Sequence, residues 1–264
     1  MGEQFFDKTI KLFEDFEEVD AIVLGGSRAS DKYDAASDYD VYVYLNSDLS
    51  LEKRKSALEQ TCKYMGLGKT HWGSKWDECI LNSGIPIELT YENTKDTQES
   101  LNNTLKNHIA YDGYTTCVCY VVLNAVILYD PKGEYDRMVK QFTMPYPEEL
   151  RQNIIRENRE LLEGMTPSYS NQIEKAIKRK DVISINHRLA AFTKSYFDIL
   201  FAVNRKFHPG EKRLIQLAQE QCECLPEDFE ADLKSLFAEN GSDKTMPIIH
   251  KLISNLDDLI SKNR

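Results

Sequence analysis

The sequence predicts an α+β protein in two parts: a mixed sheet with flanking helices over residues 1–145, then a helical bundle over residues 146–264. Three observations carry this reading. Short, β-branched, apolar runs closed by turn residues are confined to the first part. From about residue 147 onward the apolar positions recur at the 3.6-residue period of a helix. Between the two lies "TMPYPEEL", whose Pro145 and Pro147 form the kind of proline cluster found where one architecture hands over to another.

Taken in order, residues 2–17 carry Phe5, Phe6, Ile10, Phe13 and Phe16 at helical spacing and predict an amphipathic opening helix. Val19 to Leu24 is short and apolar and is closed by Gly25-Gly26, which predicts a buried strand ending in a tight turn. In the run from Tyr39 to Leu45, Tyr39, Val41, Val43 and Leu45 share one face and Asp40, Tyr42 and Tyr44 the other, with Asp38 in phase with the second set. Residues 50–65 read as a helix behind a Ser50 cap. The stretch "SKWDECILNSGIPIELTYE" reads as two strands about an Asn82-Ser83-Gly84 turn. Residues 94–107 are expected to be helical. The second half of "CVCYVVLNAVILY" is expected to be a strand before the Asp130-Pro131-Lys132-Gly133 turn. Beyond it, helices are expected near 147–163, 169–179, 181–206, 211–221, 226–239 and 245–262, separated by Pro167, Pro209-Gly210, Pro226 and Gly241.

Composition narrows the function classes. With 43 acidic and 33 basic residues the net charge is −10, which lacks the basic footprint of a protein that grips a long nucleic acid. Such a balance favours cationic ligands and divalent metals, and suits a solvated acidic surface at least as well. No run approaches the roughly 18 apolar residues of a membrane span, and "MGEQFFDKTI" has no signal-peptide pattern. Phe6 stands where a myristoylation signal wants Ser or Thr. A cytoplasmic protein without membrane partners is therefore expected. The pairs Cys117/Cys119 and Cys222/Cys224 each enclose one residue and the histidines are scattered, so reduced thiols are expected rather than a zinc site.

The chemistry concentrates in "VLGGSRASDKYDAASDYDVYVYL", residues 23–45. Glycines let a backbone approach a ligand closely, and a helix starting at Ser27 would turn its free N–H groups toward a phosphate. Taken alone, a Gly-Gly-Ser that merely ends a strand is the better account of these residues. Asp38 and Asp40, in phase on one strand, repel each other unless a cation neutralises them, and Mg²⁺ is the natural cation for oxygen donors. Glu88 interrupts an otherwise apolar strand between Ile87 and Leu89. It completes a three-carboxylate cluster if its strand lies beside that of Asp38 and Asp40.

The order of strand, Gly25-Gly26-Ser27, about ten residues of connection, Ser37-Asp38-Tyr39-Asp40 on a strand, and a later strand carboxylate resembles the DNA polymerase β-like nucleotidyltransferase superfamily. Within it the chain is most similar to the antibiotic-type enzymes, the aminoglycoside and lincosamide adenylyltransferases, and their uncharacterised relatives. "FHPGEKRLIQLA" is similar to a segment that brings a lysine to the triphosphate in those enzymes. The resemblance implies Gly26 and Ser27 at the nucleotide phosphates, with Asp38 and Asp40 on two Mg²⁺ ions. It implies Glu88 as a third carboxylate, acting as metal ligand, general base or both, and Arg28 and Lys212 at the triphosphate. The connection after Ser27, with Ala29, Asp31, Asp34 and Ala35, departs from the family pattern in its charge and small residues.

The implied reaction transfers AMP from ATP, or another nucleoside monophosphate, to a hydroxyl of a small molecule such as an aminoglycoside-like or lincosamide antibiotic. The acceptor, the preferred nucleotide and the oligomeric state stay open. Two alternatives remain beside it: a protein-adenylylating, antitoxin-like enzyme, and a non-catalytic nucleotide-sensing module.

Overall fold

The computed structural model describes residues 2–29, 33, 37–164 and 167–263. The chain forms two compact units. One holds the residues up to Leu101 together with Val121–Met144; the other holds Asn102–Tyr120 and everything from Pro145 on.

The first unit opens with helix α1 (Gly2–Glu14), whose Phe6, Ile10 and Phe13 are buried at helical spacing. Strands follow as β1 (Val19–Gly25), β2 (Tyr39–Leu45), β3 (Cys62–Lys69), β4 (Lys75–Leu81), β5 (Pro86–Asn93) and β6 (Val126–Tyr129). They form one six-stranded sheet in the order β3-β4-β5-β2-β1-β6. All neighbours are antiparallel except β2 and β5, which run parallel. Tyr39, Val41 and Val43 of β2 and Ile87, Leu89 and Tyr91 of β5 are buried on one face, in a core shared with α1 and with Ala57 and Leu58 of α2 (Leu51–Leu58). Phe6 stacks on Tyr39 at 4.1 Å between ring centroids.

An ion pair locks α2 to the sheet. Arg54 Nη1 donates to both oxygens of the fully buried Asp77 at 2.7 Å, and the Gly68 N–H and the Tyr91 hydroxyl donate to the same carboxylate at 2.7 Å each. Four bonds satisfy a charge that would be costly to bury alone.

Helix α2 ends at Leu58, and β3 takes up residues expected to be helical. β3 is an edge strand with glycines at 66 and 68 and no apolar alternation, so pairing with β4 supplies what its side chains do not. Helix α3 (Thr94–Leu105) matches its expected span closely. The apolar run 117–129 divides into helix α4 (Cys117–Asn124) and strand β6. Helix α5 (Glu134–Phe142) was not legible as a helix. It buries Tyr135, Met138 and Phe142, and Asp130 caps it by accepting from the Glu134 and Asp136 N–H groups at 2.9 Å each.

The second unit contains α6 (Glu148–Leu162), α7 (Tyr169–Arg179), α8 (Val182–Val203), α9 (Leu214–Gln221), α10 (Phe229–Ala238) and α11 (Thr245–Lys262). Residues 195–203 of α8 are buried on every side, which makes α8 the central helix of this unit. Asn102–Tyr120, expected to go with the sheet, belongs to this unit. The reason is polar. Asp198 of α8 accepts from the Thr115 N–H at 3.1 Å and the Thr115 hydroxyl at 2.7 Å, and Asn158 of α6 donates to the Tyr111 carbonyl at 2.9 Å. All six cysteines are free thiols. Among the described residues no helix is long and apolar enough to cross a membrane.

Candidate active site

β2 and β5 pair in parallel with Asp40 opposite Glu88, Tyr42 opposite Thr90 and Tyr44 opposite Glu92. Register partners on adjacent strands share a face about 5 Å apart, so the pairing brings Asp40 and Glu88 side by side, as a shared site requires. Both are half-buried. Asp38 stands just ahead of β2, also half-buried. Among the described residues no three His, Cys, Asp or Glu side chains are gathered closely enough to hold a metal ion. The arrangement is a register pair with a third carboxylate upstream of it, not a closed ligand set.

The Gly-Gly turn is shaped by β2 itself. Gly26 has φ +62°, and a Cβ placed on it would lie 1.7 Å from Asp40 Oδ2 and 2.7 Å from its Cγ. A Cβ on Gly25 would lie 2.7 Å from Cε2 of Tyr42. The two glycines therefore admit two successive same-face side chains of β2, and the close approach that the sequence suggested for a ligand is made by the Asp40 carboxylate. Ser27 is half-buried and opens a single 3-10 turn, Ser27–Ala29, closed by the Ala29 N–H on the Gly26 carbonyl at 3.3 Å. One such turn carries no helix macrodipole of the kind expected from a helix at Ser27. Asp31, Asp34 and Ala35 of the connection lie outside the described residues.

Arg28 is engaged with the chain. Its Nε and Nη2 donate to the Ser37 carbonyl at 2.9 and 2.8 Å, and its guanidinium lies 4.2 Å from the Tyr39 ring centroid and 4.9 Å from that of Tyr33. It thus ties the 3-10 turn that follows the glycines to the residue before Asp38, a positioning task in place of the expected phosphate contact for those two N–H groups. Burial pushes the Tyr39 phenol up, and the Arg28 charge opposes it.

The electrostatics of the shared face register in Tyr42. Its phenol is pushed up to about 12, first by burial and then by the negative charges of Asp40, Glu88 and Glu92. Glu92 is a fourth carboxylate that the sequence reading missed, although it keeps the two-residue phase of Glu88 along β5 and was findable by the same rule. Burial pushes its carboxyl up, and the Ser74 hydroxyl donates to it at 3.1 Å. Deeper on this face Tyr44 lies 4.9 Å from Tyr135 of α5 between ring centroids, and the Tyr135 hydroxyl donates to the Val122 carbonyl at 2.8 Å.

Lys212 belongs to the helical unit. It is exposed in the turn after Pro209-Gly210, and α9 begins two residues beyond it at Leu214, later than the expected start near 211. Arg213 caps that helix in left-handed backbone at φ 56°.

A mixed sheet with flanking helices, a glycine turn closing its first strand and acidic side chains on the next strand define a nucleotidyltransferase-type fold. Residues 7–104 match the family described as Polymerase beta, Nucleotidyltransferase, the superfamily that the sequence resembles. Residues 115–214 match a Domain of unknown function (DUF4037). Among solved structures the chain is similar to a nucleotidyltransferase-like protein from Exiguobacterium sibiricum, with TM-score 0.42 and 11% identity over 99% of this chain and 75% of that one. It is similar to an aminoglycoside 6-adenyltransferase from Bacillus subtilis, with TM-score 0.35 and 11% identity over 100% and 91%. A CCA-adding enzyme from Thermotoga maritima, solved with tRNA, gives TM-score 0.30 and 13% identity over 98% and 80%. No curated protein sequence is significantly similar to this chain.

Proposed function

We propose that this protein transfers a nucleoside monophosphate, most simply AMP from ATP, to a hydroxyl of a small molecule, with pyrophosphate leaving. The observation that carries the reading is the register pairing of Asp40 with Glu88 on one face of a nucleotidyltransferase-type sheet.

The donor set fits a hard divalent ion. Carboxylate oxygens are the ligands Mg²⁺ takes, and Asp40 is held over Gly26 with no room for a side chain beneath it. Asp40 and Glu88 would hold the metal, with Asp38 drawn in as the third ligand when it binds, and the metal would supply charge neutralisation at the phosphates. The rest falls to the chain. The acceptor oxygen attacks the α-phosphorus, the bond from that phosphorus to the pyrophosphate oxygen breaks, and Glu88 takes the hydroxyl proton. Arg28 fixes the backbone ahead of Asp38, and Gly26 and Ser27 form the turn on which the phosphates would rest. The acidic balance of the chain favours a cationic acceptor, with aminoglycoside-like compounds the first to try and lincosamides the second.

The test is mass spectrometry of the protein incubated with ATP, Mg²⁺ and a panel of hydroxylated small molecules that includes both antibiotic classes. A nucleotidyl adduct with release of pyrophosphate is expected, lost in Asp40→Asn and reduced by about two orders of magnitude or more in Glu88→Gln. If neither adduct nor pyrophosphate exceeds the Asp40→Asn level across nucleotides and acceptors, the reading fails.

A further inference from the structure

The helical unit contains a groove of about 620 Å³, within the range of small-molecule sites. Its exposed surface is mainly apolar, with Phe197 of α8, Leu214 of α9 and Leu233 and Phe237 of α10 among the lining residues, and Tyr114 and Glu211 line it as well. Phe237 is left 52% exposed, an aromatic ring on a surface where burial against a ligand would be favourable.

The walls are fixed before any ligand arrives. Tyr114 and Arg213, both lining residues, are held in left-handed backbone at φ 56° each, a conformation that costs a side-chain-bearing residue about 1–2 kcal/mol and persists only where the surroundings enforce it. At Tyr114 three sets of contacts enforce it. Thr115, next to Tyr114, is bonded twice to Asp198. The Lys194 ammonium pairs with Asp112 at 3.1 Å, and its methylenes lie where a Cβ on Gly113 would be only 2.4 Å away. The buried His208 donates its backbone N–H to the Thr116 hydroxyl at 2.7 Å and packs edge-on to the Tyr114 ring at 5.0 Å. This network joins the segment carrying Tyr114 to the segment that leads into α9.

Charge around the groove is uneven. The Lys194 ammonium is taken by Asp112, the Lys234 ammonium pairs with Glu230 at 2.6 Å, and Glu230 also accepts from Gln219 at 2.8 Å. Arg213 has a partner of its own. Glu211, exposed at the lip, has no hydrogen-bond or ion-pair partner among the described residues. Its charge is felt at the Tyr114 phenol, which is pushed up first by burial and then by Glu211.

We infer that this groove is a binding site for a small organic cation, with a ring-bearing apolar body lying against Phe197, Leu214, Leu233 and Phe237 and a protonated amine at Glu211 beside Tyr114. A carboxylate with no internal partner, next to an aromatic ring, offers an amine both an ion pair and a cation–π contact. The apolar floor supplies contact area that a bare metal ion or an inorganic anion cannot use. This site goes beyond the transfer reading and stands whether or not the sheet unit is active.

The test uses the full chain and ligand-observed NMR titration with phenylbutylamine, tryptamine and naphthylethylamine, each against its carboxylate counterpart, phenylbutyrate, indolepropionate or naphthylpropionate. The amines are expected to bind roughly five- to tenfold tighter than the carboxylates. Glu211→Gln removes that preference. Ala190→Trp, which fills the groove from an exposed position on α8, removes binding of the amines altogether, with its circular dichroism spectrum and melting curve checked against the parent. Binding by none of the amines, equal binding of amines and carboxylates, or amine binding unchanged in Ala190→Trp overturns the proposal. Because no nucleotide is present, failure here is distinct from failure of the transfer reaction.

Discussion

Replacing Gly26 by Ala separates backbone strain from displacement of a site carboxylate, because the same fold unit contains a matched control. Gly133 has φ +63° against +62° for Gly26, but a Cβ on Gly133 would meet nothing nearer than Arg137 Nη1 at 3.5 Å. Both substitutions force alanine into left-handed backbone at about 1–2 kcal/mol. Only Gly26→Ala collides with Asp40. Ordinary contact begins at 3.4 Å and the new methyl would stand 1.7 Å from Oδ2, so the carboxylate oxygen must retreat by about 1.7 Å, which a rotation of the short side chain achieves only by removing it from its place. A displacement of this size costs on the order of a hundredfold in rate where geometry is catalytic.

The assay is the melting temperature with and without Mg²⁺ plus a non-hydrolysable ATP analogue. Ligand at a hundred times its Kd stabilises the native state by about 2.7 kcal/mol, or some 2–4 °C per kcal/mol for a chain of this size. Both variants are expected to melt lower than the parent without ligand, to a similar extent. Gly133→Ala is expected to keep the full ligand shift and Gly26→Ala to lose it. A Gly26→Ala protein that shifts as far as Gly133→Ala refutes the argument that Asp40, held over this glycine, is part of the metal and nucleotide site.

Arg28→Lys cannot reproduce the fork on the Ser37 carbonyl or the stacking on Tyr39, and is expected to cost about 1–2 kcal/mol in urea unfolding with a larger fractional loss of activity; unchanged stability and activity would refute the positioning role of Arg28. Asp77→Ala strands the Arg54 charge in the core and is expected to cost about 3–5 kcal/mol, whereas Arg54→Met with Asp77→Leu recovers most of it; a loss below about 1 kcal/mol for the single variant contradicts the buried pair. Burial pushes the Asp198 carboxyl up to about 7 against roughly 3.9 unfolded, so its contribution to stability is full below about pH 4 and is lost as pH rises toward 7. Burial pushes the His208 imidazole down to about 4 against roughly 6.5 unfolded, so its contribution is present above about pH 6.5 and is lost as pH falls toward 4. Relative to the parent, Asp198→Asn should therefore lose stability on acidification between pH 6.5 and 4 and His208→Gln should gain it, each by up to about 1.4 kcal/mol per pH unit in chemical denaturation; slopes of the same sign refute the assignment.

Much of the fold was legible where local pattern and local structure coincide. The apolar phase of α1 and of the bundle helices, the run of β1 into its glycines and the alternation of β2 all register side-chain period, which one stretch of chain displays without help. The carboxylates were legible for the same reason: Asp40 keeps phase on a strand, and Glu88 breaks an apolar one. Elements went unseen where the chain's own pattern is weak. β3 has glycines and no alternation, and is a strand because β4 hydrogen-bonds to it. α5 depends on the Asp130 cap and on tyrosine, methionine and phenylalanine buried against the rest of its unit.

The donor chemistry is written in the chain: two aspartates in one phase, a glutamate out of place in an apolar strand, and a glycine pair that frees the backbone. Folding in three dimensions set Asp40 opposite Glu88, because register between parallel strands is set by pairing across a long connection and not by either strand alone. It also decided that Gly26 makes room for Asp40, that Arg28 clamps Ser37, and that Asn102–Tyr120 joins the helical unit through Asp198 and Asn158. Each of these is a contact between residues distant in sequence, and the free energy that selects it exists only once the partner is in place.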